Sequence, residues 1–154
     1  MSDVRIRVAV LSDAPALGQM RAALWPDGTI DHHTREIAAL LEGRALLTMP
    51  WAHFIAVDAA GDAIGFVEVD LRSHANGCDP AQPVGFIEGW YVVDAHRGRG
   101  VGRQLVSAAE AWAREHGCRE MASDTQVEND LSQRAHEALG YMVVDRCVNY
   151  RKAL

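Results

Sequence analysis

Three arginines and three glycines crowd into residues 97–103 of the run Val92-Val93-Asp94-Ala95-His96-Arg97-Gly98-Arg99-Gly100-Val101-Gly102-Arg103. An apolar stretch, Phe86 to Val93, ends at this run, and an amphipathic stretch starts as it closes. A strand that turns through glycines into a helix leaves the first backbone N–H groups of that helix unpaired. Together with the positive end of the helix dipole, they form a site for an anion. Glycines let the backbone approach a pyrophosphate closely, and Arg97, Arg99 and Arg103 add positive charge. A Walker loop would end in Gly-Lys-Ser/Thr, which is missing here. A dinucleotide fingerprint would need a third glycine where Arg103 stands.

Acidic and aromatic side chains supply a second kind of chemistry. Glu88 interrupts Phe86-Ile87-Glu88-Gly89-Trp90-Tyr91-Val92-Val93, a stretch otherwise nearly all apolar. A carboxylate there is costly unless paired or wet. Facing a cleft, it can bind ammonium groups and receive a proton through water; an edge position facing solvent is the alternative. Asp124 closes the next apolar stretch, where it serves either a cation or a turn. Trp25 offers a flat face to a sugar and a cation–π surface to its ammonium groups, or else packs as core beneath a loop.

These residues need elements to carry them. Val4 to Val10 alternates apolar and polar residues and predicts a half-buried strand. Ser12 and Asp13 can cap a following helix with Pro15 in its first turn and Leu17, Met20, Ala23 and Leu24 on one face. Trp25-Pro26-Asp27-Gly28 breaks it. A second helix runs from Asp31 or Thr34 to Leu41, and Gly43 ends it. Residues 52–57 and 63–72 read as a hairpin, and a polar loop from Ser73 to Pro83 leads to a strand over 84–93. The helix after the glycines turns Val101, Leu105, Ala108 or Ala109, and Trp112 to one side. A short strand near Glu120–Asp124, a helix from about Asn129 to Leu139 and a last strand from Tyr141 to Tyr150 complete the order.

At 154 residues the chain fits one domain spanning 1–154, with 49% hydrophobic and 23% charged residues. A net charge of −6 argues against nucleic acid and favours cationic ligands. No apolar run predicts a membrane span, and the first residues do not read as a secretory leader. Cys78, Cys118 and Cys147 are odd in number and lack zinc spacing, so free thiols in the cytoplasm and no metal are expected.

The loop fits Arg/Gln-x-x-Gly-x-Gly/Ala as Arg97-x-x-Gly100-x-Gly102, and so resembles the coenzyme A pyrophosphate loop of the GNAT N-acetyltransferases. Further strings resemble the bacterial aminoglycoside 6′-N-acetyltransferases: Leu24-Trp25-Pro26-Asp27, Asn76-Gly77-Cys78, Phe86-Ile87-Glu88-Gly89, and the run from Gly117 to Thr125. Ser132-Gln133-x-x-His136-x-Ala138-Leu139-Gly140-Tyr141 and Tyr150-Arg151-Lys152 continue the resemblance in the right order.

The resemblance implies a mixed α+β acyl-CoA N-acyltransferase fold, with a mostly antiparallel sheet whose fourth and fifth strands splay to admit pantetheine. It implies acetyl-CoA as cosubstrate, direct attack by the 6′-amine of an aminoglycoside in a ternary complex, and a homodimer. Coenzyme contacts are implied at Trp90, Tyr91, Val92, Val93, Arg97, Gly98, Arg99, Gly100, Val101, Gly102, Arg103 and Asn129, with a main-chain N–H near Val92 facing the oxyanion. The acidic drug pocket is implied at Glu88, Asp124 and Asp145, walled by Trp25. His74 falls where relatives often carry tyrosine. The acid for the leaving thiolate stays open between His136 and Tyr150. Acetylation of another amine, such as a polyamine or a metabolite, and a non-catalytic acyl-CoA sensor are the competing readings.

Overall fold

The computed structural model describes residues 3–45 and 47–154. Strand β1 (Arg5–Val8) leads through a 3-10 turn into helices α1 (Ala14–Leu24) and α2 (Ile30–Leu41). Strands β2 (Trp51–Val57), β3 (Ala63–Arg72) and β4 (Val84–Val92) follow, then helix α3 (Val101–Glu115), β5 (Met121–Ser123) and α4 (Asp130–Ala138). The sheet runs in the order β1-β2-β3-β4-β5, antiparallel throughout except for the parallel pair β4–β5. The mixed α+β architecture expected from the sequence is present.

Alternating side chains give the sheet two buried faces. Val67, Val69 and Ile87 meet Val101, Leu105 and Ala109 of α3 on one side. Ile55, Val57 and Phe66 meet Leu17 and Met20 of α1 and Ile37 of α2 on the other. Burial on both sides makes β3 almost continuously inaccessible, unlike a half-exposed strand.

Local signals were honoured unevenly. Thr29 caps α2 by accepting a hydrogen bond from His32 N–H, but neither Ser12 nor Asp13 caps α1 through its side chain. Asp13 is taken instead by a bidentate pair with Arg7, at 2.7 and 2.9 Å, which holds its carboxyl below the usual range. Ala23, expected on the inner face of α1, is exposed, and Arg21 is turned inward in its place.

The larger departure is at the C-terminus. The strand expected over Tyr141–Tyr150 is not formed, and from 141 on the chain has no regular structure and no ladder partners. A strand requires a neighbour to bond, and β5 pairs for only three residues, all on its β4 side. Met142, Val144, Val148 and Tyr150 therefore stand 82%, 61%, 74% and 92% exposed.

Candidate active site at the β4–β5 splay

The β4–β5 ladder stops early: Gly85, Phe86 and Ile87 pair with Met121, Ala122 and Ser123, and β4 continues to Val92 with β3 as its one neighbour. On its other edge β4 slips register against β3. Glu68 faces Gly89 and Val69 faces Ile87, which leaves Glu88 as the unpaired residue of a bulge. One residue thus marks both the start of the open β4 edge and a break in the β3 ladder. Bulges re-aim side chains and end pairing, and no composition signal announces where one will fall.

Beyond the open edge lies the glycine loop. Gly98 and Gly100 have φ of 72° and 82°, and nothing lies within 4 Å of where a Cβ would stand on either. Only glycine adopts that region without strain, and the bare side of both residues leaves room for a ligand against the backbone. Gly100 is the N-cap of α3, so the first N–H groups of that helix face the same space. Arg97 is tied back into the fold: its Nε donates to Val92 O at 2.8 Å, and its guanidinium pairs with Asp94 at 2.8 Å. Arg99 and Arg103 form no salt bridge among the described residues, so more of the loop's free charge lies there. The donor set of backbone N–H groups and arginines fits a pyrophosphate.

Asn129 caps α4 by accepting from Ser132 N–H at 3.0 Å. In the same helix His136 is engaged at both ring nitrogens. Nδ1 meets the Ser132 carbonyl at 2.7 Å, and Nε2 meets the Ser123 hydroxyl at 2.8 Å. A carbonyl only accepts, so Nδ1 carries a proton there, and the Ser123 hydroxyl lies between Nε2 and the Ile87 carbonyl, 3.4 Å away. Ser123 is the last residue of the β5 ladder, which puts this contact at the splay. Trp90 stands edge-on to His136, with ring centroids 5.2 Å apart, and its buried Nε1 has no hydrogen-bond partner.

A second group of side chains lies along the sheet face that carries α1 and α2. Trp25 lies directly over Gly89: a Cβ on Gly89 would stand 2.5 Å from its ring. Phe66 tilts against the same indole, and Arg21 lies 5.2 Å from its centroid. Arg21 is 6% exposed and joins α1 to Glu68 of β3 and Glu36 of α2. Burial pushes the Glu68 carboxyl up to about 7, and Arg21 limits the rise. His53, also buried beside Arg21, is pushed down to about 3 and is neutral. Next along the face come Glu88 and Asp70. Arg72 donates to Glu88 at 2.6 and 3.1 Å and stacks on Phe86.

The expected residues are therefore only partly gathered. Trp25 and Glu88 share a wall. Asp124 follows β5 as an exposed residue, and Asp145 accepts from Asn76 Nδ2 at 3.1 Å. Tyr150 lies in the exposed C-terminal segment. Sequence reading passed over Arg21, Glu68, Asp70 and Arg72. The parity of Phe66, Glu68, Asp70 and Arg72 along β3 was the available signal, because three charged residues there share a face with an apolar one.

An open parallel pair beside a glycine-built anion cradle, faced by acidic and aromatic side chains, defines an enzyme that brings a coenzyme thioester to an amine. The chain belongs to the Acetyltransferase (GNAT) family, whose model matches residues 17–141. Within it the chain groups with the aminoglycoside N(6′)-acetyltransferases. It is 45% identical to the type 1 enzyme of Klebsiella aerogenes over 97% of this chain and 96% of that one. Identity to the type 1 enzyme of Stenotrophomonas maltophilia is 43%, over 97% and 93% of the two chains. A solved structure of AAC(6′)-Iy in complex with the bisubstrate analogue CoA-S-monomethyl-acetylneamine is similar at a TM-score of 0.86 and 39% identity, covering 99% of this chain and all of that one.

Proposed function

We propose that this enzyme transfers the acetyl group of acetyl-CoA to the 6′-amine of aminoglycosides by direct attack in a ternary complex. The observation that carries the site assignment is the position of Glu88, the unpaired residue of a bulge against β3 and the first residue of β4 beyond the β5 ladder. An acceptor held at that carboxylate lies beside the slot through which pantetheine reaches the sheet.

Four requirements follow from the chemistry. The ammonium must lose a proton, and Glu88 takes it through water. The thioester oxygen needs a donor as it gains charge, and the main chain at Val92 supplies it. The nitrogen–carbon bond forms as the carbon–sulfur bond breaks; the thiolate leaves toward the side where His136 and Ser123 meet, and the proton shed by the new amide nitrogen balances the one that makes it a thiol. Alignment comes from Trp25 and Glu88 on the acceptor and from the loop 97–103 on the coenzyme, with Asn129 beside it. Asp124, Asp145 and His74 extend the acceptor rim.

We further infer a homodimer in which a second copy covers the C-terminal segment. The exposed apolar side chains from Met142 to Tyr150 support it. A Val148→Asp variant sedimenting as a monomer, where the parent is a dimer, is the expected result.

Thiol release from acetyl-CoA with kanamycin, tobramycin and spermidine as separate acceptors tests the main proposal. Turnover with the drugs and none with spermidine is expected. Turnover with spermidine alone favours a polyamine enzyme, and coenzyme binding without turnover on any amine favours a sensor.

A further inference from the structure

We propose that Asp70 is a specificity residue of the acceptor site, forming with Glu88 a carboxyl pair that seats a second cationic group of a polyamino acceptor at the mouth of the adjoining cavity. This deepens the reading of Glu88 given above and rests on it.

Three observations converge on Asp70. The first is an unfilled hydrogen-bonding position. Arg72 gives both of its short hydrogen bonds to Glu88 and stays 4.0 Å from Asp70. Asp70 Oδ1 is buried and has no hydrogen-bond partner. A buried acceptor left empty costs free energy that a ligand's N–H can recover. The second is a cavity of about 350 Å³ lined by Asp70, Arg72, His74, Trp51 and Met49. That volume lies at the small end of ligand pockets. Trp51, paired with Asp70 across the β2–β3 ladder, adds a cation–π face to the wall.

The third is the electrostatics of the pair. Burial, together with Glu88 within hydrogen-bonding reach, pushes the Asp70 carboxyl up to about 7. A carboxyl raised in this way gives up its proton when a cation comes to lie beside it. An arriving ammonium therefore expels the proton of Asp70 and finds a carboxylate next to Glu88. The other groups on this face are Glu68 and Arg21 beneath the pair, His53 on β2 and His74 at the rim. An acceptor with a single amine at the reacting position leaves Asp70 unused, so the pair discriminates by the number and spacing of cations.

The test compares the full-length parent with Asp70→Asn and Asp70→Ser. Kanamycin binding is followed by calorimetry at pH 7 in buffers of different ionisation enthalpy. Acetyl transfer to kanamycin and to a mono-amino 6-amino-6-deoxy sugar is followed from pH 5.5 to 8.5. The parent should release protons on binding kanamycin and gain kcat/KM as pH rises through about 7, where Asp70 ionises. Both variants should lose the proton release. Their KM for kanamycin should rise about tenfold, the worth of one charged hydrogen bond, with a much smaller change for the mono-amino sugar. Glu68 and the amine itself titrate alike in all three proteins, so the difference between profiles reports Asp70. Unchanged proton release and unchanged KM in folded Asp70→Asn or Asp70→Ser overturn the proposal. If the parent binds kanamycin with proton release but transfers no acetyl group, the proposed reaction fails while the Asp70 site stands.

Discussion

The two halves of the proposed site are built by different means. The coenzyme half is made of backbone: two left-handed glycines, the first turn of α3 and an open strand edge, all within residues 88–103. The acceptor half is made of side chains drawn from α1, β3 and β4, separated by up to 67 positions between Arg21 and Glu88. Backbone donors need no neighbours to aim them, because helix and loop geometry fix their direction. Side chains such as Trp25 and Glu88 are aimed by what packs on them. The first half can be shared by every acetyl-CoA enzyme of this fold, and the second is free to choose the acceptor.

That contrast predicts where damage spreads. The largest effect is expected at Arg21, whose loss leaves Glu68 buried without its cation. Arg21→Met should cost roughly 3–5 kcal/mol in urea unfolding and displace Trp25, and a cost near zero would mean that the acceptor wall needs no buried ion pair. Glu88→Gln comes next, with kcat/KM for aminoglycosides falling about a hundredfold or more while acetyl-CoA affinity holds, as calorimetry can check. An equal loss of coenzyme affinity would erase the division between the halves.

Smaller effects are expected on the backbone side. Gly100→Ala adds backbone strain of about 1–2 kcal/mol at φ 82° and sets a Cβ in the space left for the coenzyme, so weaker acetyl-CoA binding with drug KM held is expected. Smallest is Asn129→Ala, which removes the α4 cap and should cost about 1 kcal/mol of stability. A drop in coenzyme affinity larger than that loss would give Asn129 a contact with pantetheine as well.

Much of the fold was legible because its signals are local. Gly43 ends α2, glycines bound α3, and alternation over Val4–Val10 and an apolar run over 84–93 marked two of the paired strands, whereas the Thr29 cap of α2 was not read. The last strand was not formed, since apolar residues in Tyr141–Tyr150 show that a segment could pair but supply no edge for it. Glu88 could be singled out as a lone carboxylate in apolar surroundings. The same logic applied to Glu68 and Asp70, but their importance depends on Arg21 and Arg72 reaching them unequally.

The sequence by itself determined the anion cradle and the order of the elements, since glycine conformation, helix caps and residue spacing act within a few positions. Only the tertiary structure decided that Glu88 falls on a bulge, that Trp25 rests on Gly89, and that Asp70 is left with an unfilled oxygen. Each of these depends on which residues of different strands and helices come to lie opposite one another. Register and packing fix that once the whole core has closed.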